Sequence, residues 1–64
     1  MYKIYNNVDD KIIFQGKEID FIEFVKDMVE ENKNYDYSIL GVSDAIEYIE
    51  DYCNGLQITT KVNI

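Results

Sequence analysis

A single small α+β domain is predicted by three features of this 64-residue chain. Apolar residues recur at 21, 22, 24, 25, 28 and 29, the broad stripe of a half-buried helix. From Leu56 to Ile64 they alternate strictly with polar residues, as in a strand with one buried face. Asn54-Gly55-Leu56 marks where a second helix stops: Gly55 suits the left-handed position after it, and Leu56 the apolar contact that accompanies this. Two β-prone runs precede these features. The order is therefore β-β-α-α-β, and the expected architecture is two helices packed on one face of a mainly antiparallel three-stranded sheet. Residues 1–64 are expected to form one domain.

Each element has a local cause. Residues 2 to 6, Tyr-Lys-Ile-Tyr-Asn, and 11 to 15, Lys-Ile-Ile-Phe-Gln, carry side chains that fit a pleated surface. Asn6-Asn7-Val8-Asp9-Asp10 is a cluster of turn formers, so the two runs read as a hairpin. Gly16-Lys17 breaks the second strand. Asp20 then reads as an N-cap, with Glu23 completing a capping box and Ile19 packing on Phe24 as a hydrophobic staple. Asn32-Lys33-Asn34 ends the helix, its lysine favoured beside the negative end of the helix dipole.

Residues 35 to 42, Tyr-Asp-Tyr-Ser-Ile-Leu-Gly-Val, read as a connector with a short turn; a strand at 37 to 40 is the alternative. Ser43 or Asp44 is expected to cap the second helix, with Glu47 three residues after Asp44. Ala45, Ile46, Ile49, Tyr52 and Cys53 form its expected inner side, and Tyr2 and Tyr5 join the core from the first strand. Cys53, the sole cysteine, is read as a buried apolar thiol; no disulfide can form within one chain.

Composition narrows the function classes. Hydrophobic residues make up 47% of the chain, too many for a disordered segment despite the charge. No apolar run approaches the roughly 20 residues of a membrane helix. Met1-Tyr2-Lys3-Ile4-Tyr5 lacks the apolar region of a secretory signal, so a cytoplasmic product is expected, in the host cytoplasm if phage-encoded. Thirteen acids stand against six lysines, giving a net charge of −7. Phosphates and anionic membrane surfaces would be repelled, so neither nucleic acid nor a membrane is an expected direct partner.

Catalytic sets fail on inventory. There is no His for a His-based triad, and the lone cysteine has none to activate it. The three glycines stand far apart at 16, 41 and 55, which excludes a Gly-rich phosphate loop. Asn34, Asp36 and Ser38 have the spacing that opens a calcium loop, but Ile39 and Ala45 occupy the positions that need Gly and Glu. No enzyme, cofactor or metal site is expected.

The carboxylates are unevenly placed. From Glu18 to Asp51 eleven acids face two lysines, a local balance of −9, whereas the rest of the chain sums to +2. Glu23, Asp27, Glu30 and Glu31 should line the outer side of the first helix, and Asp44, Glu47, Glu50 and Asp51 that of the second. Such a face either only solvates the protein or meets the basic surface of a protein partner, one that handles nucleic acid being the natural case. Tyr35, Tyr37 and Tyr48 are the expected aromatic anchors beside it. The expectation is an acidic, non-enzymatic protein-binding module, an inhibitor from a phage or mobile element of the anti-defence or DNA-mimic type. Its contact set is Glu23, Asp27, Glu30, Glu31, Tyr35, Tyr37, Asp44, Glu47, Tyr48 and Asp51. The alternative is an assembly protein that self-associates, as a homodimer or larger, through the edge of its last strand.

Overall fold

The computed structural model describes the backbone of residues 1–6, 8–55 and 60–63, with side chains described as far as Tyr52. Strand β1, Tyr2–Asn6, runs antiparallel to β2, Lys11–Gly16. Asn6 builds the reversal between them: its Oδ1 accepts the backbone N–H groups of Val8 at 3.0 Å and Asp9 at 3.3 Å, an Asx turn. Asp10 closes it with φ 55, in the left-handed region where, after glycine, short polar residues are most often found.

The hairpin is not regular. Ile4 faces Phe14 and Tyr5 faces Ile12, so the register slips by one residue between Ile4 and Tyr5. A bulge of this kind re-aims the side chains beside it. Ile4 and Phe14 turn toward the helices, while Ile12 and Ile13 remain 46% and 44% exposed. Gly16 completes the strand where the Phe14 ring crosses it. A Cβ there would lie only 3.0 Å from that ring.

Helix α1 spans Glu18–Glu31 and begins two residues before the expected cap. Asp20 and Glu23 therefore form no capping box. Lys17 is the N-cap residue, in extended backbone with no side-chain hydrogen bond, and its carbonyl accepts the Phe21 N–H at 2.9 Å. Ile19 is 66% exposed and forms no staple. Packing sets this start, because it turns Phe21 onto the Tyr2 ring, stacked at 4.9 Å. The stop follows the expected polar segment. Asn34 N–H bonds the Val29 carbonyl at 3.0 Å and Lys33 N–H that of Glu30 at 3.2 Å, a Schellman arrangement with Lys33 at φ 56.

The connector contains a turn, the Tyr37 N–H bonding the Asn34 carbonyl at 3.1 Å, and residues 37 to 40 form no strand. Helix α2 spans Val42–Gly55. Neither Ser43 nor Asp44 is its cap. Gly41 accepts the first helical bond, from Ala45 at 3.1 Å, and Asp44, already inside the helix, reaches back to the Leu40 N–H at 3.0 Å. The same side chain thus serves the helix start from within the first turn.

One apolar core joins these elements: Ile4 of β1, Phe21, Val25 and Val29 of α1, Ile39 of the connector, and Ala45, Tyr48 and Ile49 of α2. Ile46 and Tyr52 pack against it half-buried, as do Tyr2 and Phe14. The architecture is a small α+β fold of two helices and a two-stranded antiparallel sheet. The side chain of Cys53 and residues 56–59 and 64 of the expected last strand lie outside the described residues.

Candidate interaction surface

The helix periodicity that buries Phe21, Val25 and Val29 leaves the acids on the other side of α1. Glu23, Asp27, Glu30 and Glu31 are all exposed. On α2, Glu47, Glu50 and Asp51 are exposed as well, whereas Asp44 is half-buried and engaged with the Leu40 N–H. Carboxylates four residues apart stand about 6 Å apart along a helix axis. Each like-charged pair at that spacing costs a helix roughly 0.2–0.5 kcal/mol. Neither helix has a base in its last turn to offset this. The acids are spread along the surface: among the described residues no group of three could share a metal ion, and no pocket forms.

Tyr48 is not an exposed anchor. It is fully buried, one of the largest buried side chains of the molecule. The reason is helix phase: Tyr48 lies three residues after Ala45 and four before Tyr52, on the inner stripe itself. Its ring stacks on Tyr52 at 5.3 Å and takes the edge of Tyr37 at 4.7 Å. The hydroxyl accepts a hydrogen bond from Asn34 Nδ2 at 2.7 Å. Burial pushes the phenol above its usual pKa, against the opposing pull of the Asn34 donor.

Tyr52 completes the arrangement. Its hydroxyl donates to Asn32 Oδ1 at 2.6 Å, and Asn32 Nδ2 donates in turn to the Met28 carbonyl at 2.8 Å. Two stacked tyrosines of α2 thereby hold the two asparagines that end α1. Tyr2 is tied down on the sheet side, donating to Glu18 Oε1 at 3.2 Å. Desolvation, then the bond to Glu18 and its charge, raise the Tyr2 pKa.

The connector supplies the exposed apolar groups. Tyr35 is 71% exposed and Leu40 87%, while Tyr37, in its T-shaped contact with Tyr48, is only 37% exposed. Leu40 is absent from the contact set read off the sequence. The available signal was the Ile39-Leu40 pair in a stretch without helical period, where only one of two neighbours can reach the core. Ile39 takes that place, at 7% exposure. Glu30, Glu31 and Asp36 are exposed close by in sequence. Comparison with protein-family models, curated proteins and solved structures finds no match.

Proposed function

We propose that this chain is a non-enzymatic protein-binding module whose acidic helix layer and connector dock on the basic surface of a protein partner. Leu40 carries the reading. It is 87% exposed, on the same short connector as the 71% exposed Tyr35, and the Asp44 bond and the Tyr37–Tyr48 contact hold that connector in place. A pre-ordered aromatic or aliphatic anchor loses little freedom on binding. The contact set becomes Tyr35, Tyr37 and Leu40 of the connector together with Glu23, Asp27, Glu30, Glu31, Glu47 and Asp51 of the helices; Tyr48 serves the core and Asp44 the helix start.

The partner class follows from charge. Acids at about 6 Å intervals along two helices repeat on a scale broadly similar to successive phosphates of one strand. Such a layer suits a basic groove that otherwise holds nucleic acid, the mode of a small DNA-mimic inhibitor from a phage or mobile element acting in the host cytoplasm. The test is a titration of a partner captured from the source cell against wild type, Leu40→Ser, and Glu47→Lys with Asp51→Lys. Leu40→Ser should weaken binding at least tenfold, the charge reversal should abolish it, and raised salt should weaken the wild-type complex. Unchanged affinity in both folded variants would return the acidic layer to a solvating role.

We infer a third strand, β3, over Thr60–Asn63, completing a sheet of order β2-β1-β3. It is supported by an antiparallel register of Lys3 with Asn63 and Ile4 with Val62. Its outer edge is the surface through which an assembly protein would add strands.

A further inference from the structure

Strand β2 carries one residue more than its pairing uses. Ile4 faces Phe14 and Tyr5 faces Ile12, so Ile13 stands between two consecutive pairs with no partner of its own on β1. The side chains record the same insertion. In a regular strand neighbours point to opposite faces. Here Ile12 and Ile13 are 46% and 44% exposed, and neither packs against the core that Phe14 joins. The bulge leaves an unpaired residue and an exposed isoleucine, and no core contact offsets either.

Its position is informative. Among the described residues β2 pairs only with β1, so its other side is an open edge. Six residues without a proline, Lys11–Gly16, are long enough for another extended chain to pair with. An inserted residue bends such a strand and increases its twist, which spoils the straight row of N–H and C=O groups that pairing needs. Lys11, at the start of the same strand, acts in the same sense.

We propose that Ile13 is an edge guard: an inserted residue dispensable to the fold, whose bulge keeps β2 from pairing with a strand of another chain. The register carries the first half. Removing Ile13 joins Ile12 directly to Phe14 and leaves all five pairs, from Tyr2 with Gly16 to Asn6 with Lys11, as they are. Phe14 stays on the core side and Ile12 on the outer side, because regular alternation then supplies what the bulge supplied before. The second half follows from what is left, a regular edge strand Lys-Ile-Phe-Gln-Gly with only Lys11 to blunt it. This edge belongs neither to the acidic layer and connector nor to the last strand, so the inference rests on neither functional reading.

The experiment compares the wild type with a chain lacking Ile13 by circular dichroism, sedimentation equilibrium and amide hydrogen exchange. Concentrations run from about 10 μM to about 1 mM, the range of weak association. The shortened chain should keep the wild-type spectrum and gain mass with concentration. Its β2 amides should exchange at least about tenfold more slowly at the upper concentration, because pairing covers them. Those of the wild type should exchange at one rate throughout. Ile13→Ala keeps the inserted residue and should behave as wild type, which separates the bulge from the isoleucine side chain. A shortened chain that does not fold, or one whose β2 amides ignore concentration, would overturn the proposal. So would a wild type whose β2 amides slow as much, or an Ile13→Ala chain that associates like the shortened one. Slowing at residues 60 to 63 alone would place the contact on the other edge and overturn it as well.

Discussion

Helices α1 and α2 have the same length, the same acidic outer side and no base in their last turns, yet they are held by different means. On α1 the hold is apolar and aromatic: Phe21 stacks on Tyr2 and meets Phe14, and Phe24 meets Phe14 at 4.9 Å. Along α2 it is partly polar, since Tyr48 and Tyr52 reach from the core to Asn34 and Asn32. The first kind of contact is non-directional and follows from burying area. The second needs each donor opposite its acceptor, so it fixes where the end of α1 and the connector lie relative to α2. The difference teaches that the exposed connector is positioned by α2, although it leaves from α1.

Removing the α1 anchor gives the largest effect. Phe21→Ala takes away the ring that both hairpin strands touch and should destabilise the fold by about 3–5 kcal/mol. Chemical denaturation with an unchanged slope would measure it, and a loss below about 1 kcal/mol would mean that α1 is not the centre of the core.

On α2, Tyr48→Phe keeps the ring and removes only the hydroxyl, so Asn34 Nδ2 loses its partner. The cost should be about 1 kcal/mol, with Tyr35 and Tyr37 amides shifting in an NMR spectrum and those of Val25 unmoved. This effect has a pH signature. The phenol of Tyr48 is raised in the folded state, so its contribution is fully present below about pH 10, the unfolded value, and is lost as pH rises through the folded one. The thermal midpoints of wild type and variant should therefore converge as pH climbs above about 10. A constant gap would show that Tyr48 titrates normally.

The smallest effect is a gain at the joint between the helices. Lys33 holds φ 56, a conformation that costs a residue with a Cβ more than glycine. Lys33→Gly relieves this and forfeits the cation near the helix end, for a net gain of about 0.5 kcal/mol. A loss of stability instead would show that the Lys33 charge outweighs its backbone strain.

Legibility followed the same division. The apolar period of α1 runs through 21, 22, 24, 25, 28 and 29; Phe21, Val25 and Val29 are buried, and Ile22, Phe24 and Met28 pack half-buried against them. The capping box at Asp20 was locally sound but lost to the stacking of Phe21 on Tyr2, a contact between residues far apart in the chain. Tyr48 sits on the inner stripe by its spacing from Ala45 and Tyr52, and Asn34 arriving from α1 gives its hydroxyl a partner there, so it is core and not an exposed anchor. The bulge that leaves Ile12 exposed has no mark in Lys-Ile-Ile-Phe-Gln, whose two isoleucines fit either register.

Element order, helix faces and the segregation of charge were determined by the sequence alone, because hydrophobic period and net charge are properties of neighbouring residues. Where each helix begins, which tyrosines are buried, and which apolar residues are left outside were decided by the tertiary structure. Those outcomes depend on contacts between distant segments, Phe21 with Tyr2, Tyr48 with Asn34 and Tyr5 with Ile12, whose energies exist only once the chain has brought them together.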